Sequence, residues 1–283
     1  MDSNEILKRQ NEEQSLRIQY AARNSFNAAE KYNGWAWFAC FVAAFSLIFP
    51  EAWSAYILNG IPLTADICAA ILSFCACTKV KWASTLRKYF DAYALDLQWA
   101  RYSEADRREV LEYTEKICCK HPDDLAIQMA NTGYDSPPGL RDWYVFSAYY
   151  IGTKAQLECQ RQNTWWNKKI VEKRLLVTAI LTVLLVLVFC LLSINYNKLT
   201  MVFCSAGIII KIAERTVENG RYLSVSKEID GALKAVEASL SKKGVLLLQE
   251  LIDKRRSINV LESNGIHKRV ARKLSQIYEK MNP

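Results

Sequence analysis

The sequence predicts an all-α integral membrane protein: four transmembrane helices, arranged as two hairpins, rising from a helical cytoplasmic domain. Three observations carry that prediction. First, the stretch from Leu175 to Asn197 holds no charged residue and is closed by Arg174 and Lys198. A run of about 20 apolar residues crosses the roughly 30 Å hydrocarbon core of a bilayer as one helix, and soluble core helices do not stay apolar around their whole circumference for that long. Second, apolar residues gather in two paired blocks with charge between and after them, so the mean hydropathy of -0.05 averages two populations. Third, the basic residues are lopsided. Sixteen Lys and Arg lie in 79–174, 15 from Lys211 onward and five before the first block, while the two hairpin tips share the single Lys198. The positive-inside rule then places both termini and the middle segment in the cytoplasm.

The elements follow in order. Residues 1–31 are polar and form an N-terminal cytoplasmic helix with Leu16 and Tyr20 on a thin apolar face. They carry Glu5, Glu12, Glu13 and Glu30 and lack the apolar h-region of a secretory signal, so the next block is expected to be structure. Residues 32–78 make the first hairpin: an uncharged run from Tyr32 to Pro50 with Trp35 and Trp37 as interfacial anchors, a turn at Pro50, Glu51 and Trp53, and a second run from Ile61 to Thr78 broken only by Asp66.

Residues 79–174 form a cytoplasmic helical segment. Leu86, Phe90, Tyr93, Leu97 and Ala100 recur at alternating steps of four and three, which predicts that the second span continues as helix into the cytoplasm. Ser103 with Asp106 marks a fresh N-cap for a helix to about Cys119. A short helix follows Pro122, NTGYDSPPG is a loop, and a helical region from about Trp143 leads into the third span. Residues 175–212 make the second hairpin, in which Lys211 reaches the headgroups along its apolar stem. Residues 213–283 are cytoplasmic C-terminal helices: Val225, Ile229, Ala232, Val236 and Leu240 form one stripe, Gly244 and Asn264-Gly265 divide the tail, and Ile266, Val270, Leu274 and Ile277 form a last amphipathic face.

Catalytic and metal chemistry find little material. Of nine cysteines, Cys40, Cys68, Cys75, Cys77, Cys190 and Cys204 lie in apolar blocks as small hydrophobes, and Cys118, Cys119 and Cys159 lie in segments expected to stay reduced. His121 and His267 are the only histidines and stand far apart, so no metal site is expected. The ten glycines are scattered and form no phosphate-cradling loop. We therefore expect neither an enzyme nor a cofactor. The formal charge of +8 follows from membrane topology and needs no nucleic-acid polymer as partner.

Two groups of residues are candidates for function. Asp66, Ala69, Ala70, Ser73 and Ala76 share one face of the second span, and Thr200, Cys204, Gly207 and Lys211 share one face of the fourth. Small residues there either let helices pack closely or line a narrow water path in which Asp66 and Lys211 avoid lipid. Arg161, Asn163, Trp165 and Trp166 combine a guanidinium for phosphate with aromatic faces for bases, and Arg9, Gln10 and Asn11 echo them before the first hairpin. The other reading of this set is membrane-surface anchoring with the arginines paired to acids or lipid phosphates. Lys254, Arg255 and Arg256 read as a solvated or lipid-facing cluster rather than a nucleotide cradle.

RQNEEQ near the start, Asp142-Trp143-Tyr144, and Cys159-Gln160-Arg161 with Asn163 and Trp166 resemble the four-transmembrane pore-forming effectors of bacterial anti-phage CBASS systems. The resemblance extends over nearly the whole chain. It implies an inner-membrane effector that a cyclic oligonucleotide second messenger, made by a partner nucleotidyltransferase, triggers to permeabilise the membrane and abort infection. Four helices enclose little space, so a pore would be a homo-oligomer among membrane lipids. The alternative is a non-conducting membrane sensor or scaffold that recruits partners through its cytoplasmic helices.

Overall fold

Four helices of 33 to 41 residues carry the architecture. The computed structural model describes the backbone of residues 1–46, 55–192 and 198–258, and their side chains except at 55–59, 166–174, 177, 181, 189, 192 and 198–204. Helix α1 is Ser3–Gln10, α2 Glu13–Phe45, α3 Ala55–Ala94, α4 Glu104–Cys118, α5 Pro122–Ala130, α6 Thr153–Leu192, α7 Lys198–Ala238 and α8 Lys242–Arg256. A 3-10 turn, Trp99–Arg101, joins α3 to α4. No strand occurs among the described residues, only isolated bridges at Asp2–Ile151 and Thr132–Arg141.

Each boundary drawn at a change from polar to apolar sequence (31/32, 78/79, 174/175, 212/213) falls inside a continuous helix. At 1.5 Å per residue, 40 residues measure about 60 Å, twice a bilayer core. Each long helix therefore has an apolar half and a polar half. Among the described residues, Gly60–Ala94 is the one helical stretch long and apolar enough by itself to cross a membrane, and only 17 % of its most apolar window is buried. Thr178–Val188 is a shorter apolar stretch. The tip at Pro50, Glu51 and Trp53 and the last amphipathic face from Ile266 lie outside the described residues.

Helices α2 and α3 run antiparallel on a seam of small side chains. On α2 the buried positions Ser15, Ile18, Ala22, Ser25, Ala29, Ala36, Cys40 and Ala43 are three, four or seven residues apart. On α3 Ala69, Ala76, Val80, Ala83, Phe90 and Ala94 do the same. Such spacing is a coiled-coil seam, and small residues along it let the backbones approach closely. The large apolar side chains of the apolar halves face outward instead: Trp35, Phe38 and Phe45 on α2, and Leu63, Ile67, Ile71 and Phe74 on α3, are each more than half exposed. That inversion of a soluble protein's pattern makes an exposed apolar belt far beyond scattered surface hydrophobes.

The polar halves gather around a second core that includes Ile6, Leu86, Phe90, Tyr144, Ile229 and Leu248. The predicted α3 continuation holds, but the helix ends before Leu97 and Ala100. Asp96 turns left-handed (φ 53°), and the Leu97 N–H reaches back to the Ala92 carbonyl at 3.1 Å. This is a Schellman stop, which overrides the apolar spacing. The Ser103–Asp106 capping box opens α4 as expected. The loop after α5 closes where Gly139 meets the Asn131 backbone, in space a Cβ would overlap. The helix expected from about Trp143 does not start until Thr153, because the intervening backbone is bonded elsewhere. Asp142 is left-handed (φ 54°), Tyr144 pairs with Gln10, and Ser3 N–H donates to the Tyr150 carbonyl at 3.0 Å. The tail breaks at Ser241, the N-cap of α8, so Gly244 lies inside its first turn, and Leu240 is exposed beyond α7.

One buried carboxylate ties this base together. Asp91 on α3 is 1 % exposed and accepts from the Tyr144 hydroxyl at 2.8 Å, from Gln249 Nε2 at 3.1 Å and from Arg256 Nη1 at 2.6 Å. Gln160 on α6 donates to Gln249 Oε1 at 3.0 Å, which extends the network to a fourth element. Arg9 and Gln156 take the Tyr93 and Leu95 carbonyls left open where α3 ends. The cluster at 254–256 is thus divided. Lys254 is exposed and pairs with Glu228, Arg255 lies 2 % exposed over the Tyr222 ring, and Arg256 points into the network. Removing one partner of a buried ion pair costs about 3–5 kcal/mol, much of it for the charge left behind. Asp91→Ala should lower unfolding stability by that amount in detergent, and Asp91→Leu combined with Arg256→Met should recover most of it.

Candidate functional site

The Arg9-Gln10-Asn11 motif is built into the base as a clamp. Gln10 is fully buried, and its carboxamide pairs with both backbone groups of Tyr144, donating at 3.0 Å and accepting at 2.8 Å. The side chain thereby stands in for a neighbouring strand. Asn11 makes a matching pair with Asp142, and Arg9 bonds Glu5 at 2.7 Å while covering the end of α3. The second copy of that motif, Arg161-Gln162-Asn163, approaches the same segment from α6: the Val145 N–H donates to Gln162 Oε1 at 3.3 Å. Both RQN motifs therefore grip the Asp142–Val145 stretch, so the sequence echo has a structural counterpart. Arg161 is half exposed and lies between Glu158 at 3.7 Å and Glu237 at 3.6 Å. Asn163 and Trp165 are partly buried, and the Trp166 side chain lies outside the described residues. The arginines of both motifs face acids, which reduces the positive field either could offer a phosphate.

In the apolar halves, α2, α3 and α7 meet at one crossing. Gly207 of α7 lies directly against the Asp66 carboxylate of α3, and a Cβ added to it would overlap Asp66 Oδ1 and stand 3.3 Å from Cys40 Sγ of α2. Cys40, Ala69 and Ile208 form the packed cluster beside it. Asp66 Oδ1 is buried and has no hydrogen-bond partner. Unpaired polar atoms are costly in an apolar setting and mark functional positions. Lys211, one turn along α7, is 12 % exposed and 3.6 Å from Glu214. Of the predicted faces, Ala69 and Ala76 are packed into the seam with α2, and Ser73 bonds back to the Ala69 carbonyl at 2.6 Å. Ala70 is exposed on the far side, so the five residues do not share one environment. The side chains of Thr200 and Cys204 lie outside the described residues.

Beneath this crossing the polar halves of α2 and α3 are strapped by α4. Trp82 stacks on Tyr113 with centroids 4.1 Å apart and planes 4° from parallel. Lys79 donates to the same hydroxyl at 3.2 Å, and Arg17 forks onto the Glu115 carboxylate. Next to these straps, a cavity of about 220 Å³ opens between α2, α3, the 3-10 turn and α4. Its walls come from residues 14–18, 89–99 and 107–111, too far apart in the chain for any local motif to announce them.

A model of one family, described as the SMODS-associating 4TM effector domain, matches residues 4–232, more than half of the chain. No curated protein and no solved structure matches.

The network at Asp91 makes stability depend on pH. Burial pushes the Asp253 carboxyl up to about 6 from an ordinary 3.8, with Arg256 pulling the other way. For Arg256, burial opposes the charge, but Asp91 and Asp253 outweigh it and hold the guanidinium above its ordinary value. Because the folded state favours neutral Asp253, its contribution is fully present below pH 3.8 and is lost as pH rises through about 6. The thermal midpoint of the wild type minus that of Asp253→Asn should therefore fall between those values and stay flat above them.

Proposed function

The chain belongs to the SMODS-associating 4TM effector family, and on that premise we propose that it is a membrane effector opened by a cyclic oligonucleotide from a partner nucleotidyltransferase. Four helices cross the inner membrane as two hairpins with both termini in the cytoplasm. Opening permeabilises the membrane and aborts infection. The protein acts by permeation without catalysis, as a homo-oligomer, because four helices enclose too little space for a path of their own.

The observation that carries this reading is the continuity of α2, α3 and α7 from the bonded base to the Asp66–Gly207–Cys40 crossing. A displacement in the base meets no helix break before it reaches the apolar halves. The crossing is the closed gate. One oxygen of its carboxylate, Asp66 Oδ1, is buried against Gly207 without a hydrogen-bond partner, and separating α7 from α3 hydrates it. That difference gives the element two states for a ligand to bias. A resting cell needs the closed state to dominate, and reversing a 1:99 population to 99:1 takes about 5.5 kcal/mol of differential binding.

Purified protein in dye-loaded liposomes should be silent alone and leaky with the activating cyclic nucleotide. Gly207→Ala should leak without nucleotide, because the added methyl displaces Asp66 in the closed packing. Gly207→Ala combined with Asp66→Ala should be silent again. A silent Gly207→Ala single variant removes the gate from this crossing. Failure of every cyclic nucleotide to cause leakage, with partner proteins still bound, favours the scaffold.

A further inference from the structure

The cavity between α2, α3 and α4 has the chemistry of a nucleotide site, and neither RQN motif is part of it. Tyr89, Tyr93 and Trp99 supply rings, Ser15 supplies a small polar wall, and Arg107 of α4 lines the side shared with the neighbouring groove. Trp99 meets Tyr89 and Tyr93 edge-on, at 5.1 and 5.0 Å between centroids. The rings thus do not stack face to face on one another. The Arg107 guanidinium lies 4.5 Å over the Trp99 ring, and its Nε is buried without a hydrogen-bond partner. Buried donors are rarely left unpaired, and one that is calls for a specific explanation. Here a charged N–H in an aromatic chamber lacks an acceptor.

Size and charge narrow what can provide it. At about 220 Å³ the chamber is smaller than sites that enclose a whole small molecule, commonly ~300–1,000 Å³. It suits one flat ring system. Arg107 and Leu111 also line an open groove of about 570 Å³ along α4, where the rest of a larger ligand can lie. In that groove Arg107 and Arg108 offset Glu104 and Glu112, and Glu115 is already held by Arg17. Aromatic faces bind bases through stacking, and a guanidinium binds the phosphate beside them.

We propose that this chamber takes one nucleobase of the trigger, held against the wall formed by Tyr89, Tyr93 and Trp99, with the adjoining phosphodiester on Arg107. The inference rests on the reading of the protein as nucleotide-triggered and gives that trigger its place. A base here would part α4 from the α2–α3 pair, the two helices that lead without interruption to the Asp66–Gly207 crossing.

The test uses full-length protein in nanodiscs with synthetic cyclic dinucleotides and trinucleotides carrying adenine and guanine, and their 8-azidopurine photoprobes. Wild type should bind at least one probe. Arg107→Gln, with unchanged helicity and thermal midpoint, should bind it about ten- to a hundredfold more weakly, as for loss of a charge-assisted contact. The photolabel should map to the peptide containing Tyr93 and Trp99. If wild type binds and Arg107→Gln binds equally well, or the label falls elsewhere, this site is wrong and the trigger reading stands. If wild type binds no probe, both fail. Should Arg107→Gln not fold, the position of the photolabel on wild type decides alone.

Discussion

A carboxylate removed from water must be answered inside the protein, and Asp91 is answered from three directions. The Tyr144 hydroxyl, the Gln249 amide and the Arg256 guanidinium converge on it, and they come from the 142–145 segment and from α8. Asp91 sits one turn before α3 ends, so whatever holds it also sets where the longest reach of the membrane helix is anchored. The clamp around Tyr144 depends on the same point. Gln10 fixes the Tyr144 backbone, the backbone fixes the ring, and the ring hydroxyl completes the carboxylate. Residues separated by more than 150 positions are made into one body by a single carboxylate.

No break in α2, α3 or α7 separates that body from the apolar halves. The seam between α2 and α3 keeps its three- and four-residue rhythm from Ser15 to Ala43 and from Ala69 to Ala94, through both environments. Alanine, serine and cysteine along it allow close approach but supply little side-chain bulk to lock one register. Rigidity along each helix and ease of shift between helices are the combination a transmitting pair requires. The α4 straps at Tyr113 and Glu115 sit between the cavity and the apolar half, where a small change in spacing at the base would be felt first.

Much of the fold was legible in the chain because the signals were local. The Ser103–Asp106 box, the Pro122 start, the NTGYDSPPG loop and the passage of α3 past Lys79 each depend on neighbouring residues. What was not legible depended on distant partners. Spacing carried the α3 stripe on to Leu97 and Ala100, but the left-handed Asp96 ended it. A helix is expected from about Trp143, yet the aromatic and β-branched residues of 143–151 favour extended chain, and their backbone is bonded to Gln10 and Ser3. The RQN motifs hold guanidinium and carboxamide groups suited to a ligand, and the fold uses Gln10 and Gln162 to hold backbone. Arg256 read as a solvated cation because Asp91 stands 165 residues away. The aromatic cavity could not have been found at all, since its three walls share no sequence pattern.

In the proposed mechanism, events in the base move the apolar helices past one another. Electron–electron distance measurements test it directly. Spin labels replace Phe38 on α2 and Ile209 on α7, both more than half exposed, in a cysteine-depleted full-length protein in nanodiscs. The account predicts one narrow distance distribution at rest and a second, longer population when an activating cyclic nucleotide is added. An unchanged distribution with nucleotide demonstrably bound would contradict it.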